Sequence, residues 1–336
     1  MRKLFVFLGI ALWAIGSVAS AQEVESTAPM QMSSWGDAKT DYIPEVSLDM
    51  RGGYRISSEY SSGRFTGDDL NIDINGYIYP NFSYSFNHRI ASSGYGEASW
   101  FDATNWLTLT YEMGDFAFTV GKDAILVGSF EYDAYDLDSY YEMNSAFYND
   151  FDSWQWGVTA AWYPTEDHEV LVQIANSPYA FLDHSYALAT GWRGSWDWYE
   201  SYWTANLWGT DYSDEFVTAL NFGNRFSFGD LTLDVDLMGR ISESYGGVTT
   251  TISPSYNLGE WGRAFLKAGA EDGGSIDGLN VFFGGGFEYF PLKENKDIRI
   301  HAAYTYNDYT VGHLFSIGLT WKMNLTKGIK NLIERN

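Results

Sequence analysis

Residues Asp230–Ile241 read DLTLDVDLMGRI, and which side of this segment faces inward decides the fold. Successive side chains of an extended strand point to opposite faces. Leu231, Leu233, Val235 and Leu237 therefore share one face, and Thr232, Asp234, Asp236, Met238 and Arg240 share the other. In a soluble sheet the leucines would turn to a core and the charges to water. In a membrane barrel the leucines would turn to lipid and the charges to a wet lumen.

The same alternation recurs along the chain, broken by Gly, Asn, Asp and Pro clusters. It predicts strands near 45–58, 70–79, 81–91, 104–112, 115–125, 151–163, 168–176 and 185–194. Further strands are predicted near 199–209, 215–228, 230–242, 249–258, 261–271, 279–290, 297–306 and 311–323. About sixteen is an even number, as single-chain outer-membrane barrels require. Gaps after odd-numbered strands are mostly long (59–69, 92–103, 126–150, 177–184, 243–248, 272–278), and those after even-numbered strands mostly tight. Extracellular loops and periplasmic turns alternate in this way, whereas a sandwich has no reason to. No repeat of fixed period supports a propeller.

The chain begins with Arg2 and Lys3, an apolar run over Leu4–Ile15, and the small-x-small pattern Ala19-Ser20-Ala21. This predicts a signal peptide over residues 1–21, cleaved after Ala21, since the run is too short to span a bilayer. Residues 22–44 are polar and aperiodic and read as a flexible leader. Residues 45–323 form the expected barrel, and 324–336 a periplasmic tail. The formal charge of −24 argues against a nucleic-acid partner. With no cysteine, a disulfide scaffold or thiolate metal site is excluded. The pattern calls for no cofactor, no metal and no catalytic residue.

Eight arginines fall within the predicted strands: Arg51, Arg55, Arg89, Arg193, Arg225, Arg240, Arg263 and Arg299. Each shares the face of polar neighbours. Arg89, for example, goes with Ser83, Ser85 and Asn87, against Phe82, Tyr84 and Phe86. A lipid-facing Arg costs ~2–4 kcal/mol at the bilayer midplane, so this face is assigned to the lumen wall. Aromatic residues make up 18 % of the chain. Trp154, Trp156 and Trp162 fall on the opposite, lipid-facing parity. They read as the interfacial girdle of a barrel rather than a ladder of rings for stacking sugars along a pore.

The last predicted strand, Ser316–Met323 (SIGLTWKM), is similar to the terminal assembly signal of bacterial outer-membrane barrels. It departs from that pattern at Met323, where an aromatic is usual, and in the tail that follows. The segments PEVSLDMRGGYRIS (44–57) and FDATNWLTLTYEMGDFAFTVGKDAILVGSFE (101–131), with Val120-Gly121-Lys122 leading into the longest gap, carry a more specific likeness. Over Pro44 to about Ser177 the order of features resembles a porin family related to the phosphate-selective porins O and P of bacteroidete-like outer membranes. The resemblance implies a homotrimeric, sixteen-stranded channel. Phosphate selectivity does not carry over, because it needs ladders of Arg and Lys, and the strands hold only Lys122, Lys267 and Lys322 as lysines.

General porins fold their third external loop into the barrel, where its carboxylates face basic wall residues. The corresponding segment here is Leu126–Asp150. Its acids Glu131, Asp133, Asp136, Asp138 and Glu142 are the expected constriction, opposite the eight arginines. The wall also carries acids, among them Asp49, Asp73, Glu112, Asp234, Asp236, Glu271 and Glu288. The expected protein is thus an all-β transmembrane antiparallel barrel of the bacterial outer membrane, in contact with its lipid, passing small hydrophilic solutes or ions by passive diffusion. Two other classes compete with it: an outer-membrane barrel enzyme and a secreted carbohydrate-binding β protein. The five histidines are scattered, and none sits beside a Ser with a positioned acid.

Overall fold

The alternating segment forms a strand over Leu231–Ile241 whose charged face is the buried one. Asp236 and Met238 are 1 % and 0 % exposed. Leu233, Val235 and Leu237 pair with Phe226, Asn224 and Phe222 of the preceding strand, whose apolar side chains Phe222 and Leu220 are exposed. Sheet positions elsewhere follow the same rule. Asp49, Asn87, Asn221, Glu271, Glu288 and Thr320 are buried, while Val158, Ile174, Leu188, Phe283 and Ile317 are exposed. Apolar residues outside and polar residues inside invert the order of a soluble protein, and fit a barrel wall with hydrocarbon around it.

This computed structural model describes residues 43–58, 62–90, 100–134, 138–149, 152–180, 185–211, 215–273, 276–293, 296–308 and 312–326. The expected signal peptide, the leader up to residue 42 and the tail beyond Thr326 lie outside the described residues. The first strands are β1 (Glu45–Ser57), β2 (Arg64–Tyr79), β3 (Phe82–Arg89), β4 (Thr104–Met113), β5 (Phe116–Ala124) and β6 (Trp154–Thr165). Next come β7 (His168–Asn176), β8 (Tyr186–Trp196), β9 (Tyr199–Gly209), β10 (Phe216–Phe228) and β11 (Leu231–Ile241). The chain ends with β12 (Gly247–Asn257), β13 (Gly262–Gly273), β14 (Ile276–Tyr289), β15 (Ile298–Asn307) and β16 (Gly312–Asn324). Each strand pairs antiparallel with its chain neighbours, and β16 pairs with β1 from Ser47↔Asn324 to Ser57↔Leu314, closing a sixteen-stranded barrel. The expected fold class is the observed one.

Two expectations from the sequence need correction. First, β2 begins at Arg64 rather than near residue 70. Gly67-Asp68-Asp69 has the composition of a turn, yet a bulge opposite Arg51/Gly52 carries the strand through it. The Asp68 carboxylate is held there by Arg55 at 2.9 Å. Second, the expected long connection at 272–278 shrinks to residues 274–275, because β13 and β14 both extend toward it. Gly273, at φ 91°, adopts backbone that other residues rarely take and begins this tight reversal. The following connection, between β14 and β15, is the longer one, so long–short alternation governs the first two-thirds of the barrel and lapses at its end.

The chain between β5 and β6 carries a short turn of 3-10 helix (Tyr141–Met143) and a four-residue helix α1 (Ala146–Asn149). Two apolar clusters lie where this segment meets the inner wall. One joins Ile125, Val127 and Phe147 to Trp208, Val217, Ala219 and Met238; the other joins Phe130 to Ala117, Ala161, Leu171 and Tyr202. The packed core of the molecule is therefore inside the barrel. Small or apolar inward-facing residues on β8–β11 make room for the segment.

Candidate functional site

Between β5 and β6, the described residues 125–134 and 138–149 lie in the barrel interior against inward-facing side chains. The outgoing flank is fixed through its backbone. Leu126 N–H donates to Gln173 Oε1 (2.9 Å), and the Asn206 side-chain amide donates to Leu126 O (3.0 Å). Gly128 N–H donates to Thr204 Oγ1 (2.9 Å). A Cβ at Gly128 would lie 2.6 Å from Thr204 N, so this close approach requires glycine. The two oxygens of Asp236 accept the N–H groups of Phe130 (2.9 Å) and Glu131 (3.0 Å). The returning flank is fixed in the same manner. Glu271 accepts Ala146 N–H (2.9 Å) and Phe147 N–H (3.3 Å), and Glu131 accepts Ser145 N–H and its hydroxyl (2.9 and 2.7 Å). A carboxylate that takes two N–H groups neutralises the positive ends of two backbone dipoles while staying solvated by them.

Between the flanks lies a crest held by charge. Asp133 pairs with Arg193, Asp138 with Arg299 and Glu142 with Arg55. Arg51 donates to the Ser139 carbonyl, and Tyr140 donates to Glu288 Oε1 (3.0 Å). Burial raises the Asp138 carboxyl, but Arg299, Arg263 and Arg51 together draw it below the ordinary carboxylate value. Burial and the neighbouring Glu288 carboxylate push the Tyr140 hydroxyl well up, so it acts as a donor and not as an anion.

All eight sequence-predicted arginines occupy inward-facing positions, with different partners. Arg55, Arg193 and Arg299 meet crest carboxylates. Arg225 and Arg263 pair with wall acids, Asp234 at 2.7 Å and Glu288 at 3.0 Å. Arg240 lies 4.0 Å from the Phe147 ring centroid and 3.4 Å from the Tyr179 hydroxyl. Arg89 stands at the rim and donates to the Asp102 carbonyl (3.1 Å), away from the crest. Of the expected constriction acids, Asp133, Asp138 and Glu142 are on the crest, and Asp136 lies outside the described residues. Glu131 is different. It is buried at the foot of the loop, bound to Lys267 at 2.7 Å and to Ser145, where it is structural.

Several working residues lack a signal as motifs. Aromatic rings lie over the arginines: Tyr202 over Arg193 (3.8 Å), Phe130 over Arg225 (4.2 Å) and Tyr140 over Arg51 (4.7 Å). Such stacking is tertiary and leaves no spacing to read. The anchoring role of Asp236 and Glu271 had a readable cue, since wall acids facing an acidic loop need donors other than its side chains. The described histidines make ring contacts. His88 stacks on Trp100, His168 on Trp192, and His301 meets Tyr140 edge-on. Among the described residues no histidine ring is hydrogen-bonded to a serine hydroxyl, and His184 lies outside them.

Solved structures share this architecture. OmpF of Salmonella typhi, in complex with daunomycin, superposes with a TM-score of 0.61 at 10 % identity, over 83 % of this chain and 97 % of its own. A mutant Rh. blastica porin gives 0.56 at 13 % identity, over 83 % of this chain and all of its own. The fold is that of the bacterial porins. A loop-deletion mutant of OmpT, an outer membrane protein of Vibrio cholerae, gives 0.56 at 15 % identity, over 83 % and 98 % of the two chains. No family model matches the chain, and no curated protein matches it by sequence.

Proposed function

We propose that this protein is a bacterial outer-membrane porin: a passive diffusion channel for small hydrophilic solutes, assembled as a homotrimer. The observation that carries the reading is the crest, which brings three carboxylates onto three wall arginines in the interior of a closed barrel. A sixteen-stranded wall alone encloses a wide aqueous lumen, and an internal segment is what reduces its bore. The long connections, including those after β3 and β5, face the cell exterior in this reading. The signal peptide directs export and is removed after Ala21.

The channel prefers cations. The luminal arginines are spent on carboxylates, carbonyls or rings, so they offer a passing anion little. For the same reason the chain is not phosphate-selective, despite its likeness to that family. Planar-bilayer reversal potentials in a salt gradient test this. The wild type should show a modest cation preference that fades with rising salt, as screening shortens the reach of the charges. The triple variant Asp133→Asn, Asp138→Asn, Glu142→Gln should move toward anions. An unchanged reversal potential in the triple variant, or anion preference in the wild type, overturns the assignment of the crest as the selectivity element.

A further inference from the structure

A recess of about 140 Å³ lies between the crest and the wall formed by β11, β12 and β13. Its charged groups are already matched. Asp138 faces Arg299, Asp234 faces Arg225 at 2.7 Å, Glu131 faces Lys267 at 2.7 Å, and Arg263 faces Glu288 at 3.0 Å. An ionic ligand would have to displace one of these partners and leave a charge uncompensated in a partly dry site. What remains for a ligand is neutral. The hydroxyls of Ser253 and Ser255 line the recess, and neither is hydrogen-bonded among the described residues. The β12–β13 pairing lapses at the same place: Ile252 pairs with Ala268 and Ser255 with Phe265, with no pair between. Pro254, which has no N–H to give, stands in that gap.

One side of the recess is aromatic. Phe265 and Tyr140 stack with centroids 4.8 Å apart and planes 24° from parallel, and the Phe130 ring lies nearby. A volume near 150 Å³ accommodates roughly one six-membered ring. Small-molecule sites typically combine an apolar or aromatic surface with a few convergent polar groups. A pyranose matches both halves, with an apolar C–H face for Phe265 and hydroxyls for the two serines. We propose that this recess binds one neutral pyranose ring, making the lumen a sugar-binding path as well as an ion path. The inference rests on the channel reading above, and it names the solute class that reading leaves open.

Bilayer currents through the full-length protein, titrated with glucose and separately with mannitol, test it. Mannitol has similar mass and hydroxyl count but no ring. Glucose should depress the current to a plateau with a defined half-saturating concentration, and mannitol should depress it only in proportion to viscosity. Phe265→Leu keeps an apolar side chain but removes the ring, and should raise the glucose half-saturation about tenfold. Phe265→Tyr should restore it, and Ser253→Ala with Ser255→Ala should raise it several-fold. Saturation-transfer NMR of glucose with the detergent-solubilised protein reads binding without conduction, so it separates this inference from the channel reading. Transfer in the wild type that disappears in Phe265→Leu supports the site even if no current is found. A conducting channel that glucose attenuates no differently from mannitol, with no transfer signal, overturns the sugar site and leaves the channel standing.

Discussion

The flanks and the crest of the internal loop are held by opposite means. On the flanks, the buried wall carboxylates Asp236 and Glu271 grip backbone N–H groups, a grip that depends on the loop's path more than on the charge of its side chains. On the crest, loop carboxylates grip arginine side chains, and among its described residues the wall takes the backbone at the Ser139 carbonyl, through Arg51. The difference teaches which contacts position the loop and which present its charge. Backbone anchoring sets where the loop lies, and side-chain pairing sets which charges its crest presents to the barrel interior. A crest side chain can therefore change without releasing the loop, whereas a flank anchor cannot.

The sharpest break in this contrast should come from Asp236→Ala. It leaves the Phe130 N–H without its acceptor and the Glu131 N–H with only its 3.1 Å bond to Ser129 Oγ. An unsatisfied buried donor costs ~1–3 kcal/mol, so loop docking should weaken by about 2–3 kcal/mol once the loss at Glu131 is added. Chymotrypsin, which cuts beside the loop's many Tyr and Phe residues, should then cleave it in the folded barrel, and single-channel conductance should rise. Protection equal to wild type would mean the flank is not held as described.

Glu271→Gln should have a smaller effect. An amide oxygen can still accept one of the Ala146 and Phe147 N–H groups, so a loss of about 1–2 kcal/mol is expected, read as partial protease sensitivity. Asp138→Asn on the crest should cost at most about 1 kcal/mol, because its ion pair is partly open to water. Protease resistance should persist there while the reversal potential moves. If Asp138→Asn frees the loop as fully as Asp236→Ala, the division between flank and crest fails.

The smallest effect concerns pH. The folded-state value of Asp138 is depressed, so its contribution is fully present above the ordinary value of 3.8 and is lost only as pH falls through the lower folded value. The difference in melting temperature between wild type and Asp138→Asn should be flat between about pH 5 and 8, and should vanish in stronger acid. A difference that already disappears near neutrality would show that Arg299 does not hold this carboxylate.

Period-two alternation made all sixteen strands legible, because a closed wall with apolar residues outside and polar residues inside keeps that pattern from strand to strand. The start of β2 was not, because Asp68 and Asp69 resemble turn residues until Arg55 is seen beside them. Nor was the shortening of the connection near residue 274, which follows from how far β13 and β14 pair. On the loop, composition revealed the carboxylates but not their division of labour. Glu131 and Asp138 look alike in sequence, and only the fold makes one a foot and the other a crest. The aromatic caps on Arg193, Arg225 and Arg51 come from three-dimensional contacts with no counterpart in local spacing.

The seam between β1 and β16 has a kinetic consequence. Ser47 sits opposite Asn324, and Leu325 N–H donates to the Val46 carbonyl (2.8 Å), so the final ladder joins the two ends of the sheet. Until β16 has been synthesised, the first strand has no partner on one side and remains an open edge, the kind of template on which other chains can add. Every other seam can form between neighbours soon after they emerge, but this one demands closure of nearly the whole polypeptide and incurs its full entropy at once. Maturation of the barrel is therefore expected to be a late, all-at-once event rather than a strand-by-strand accretion, and a truncation that removes β16 should cost far more than its share of the sheet.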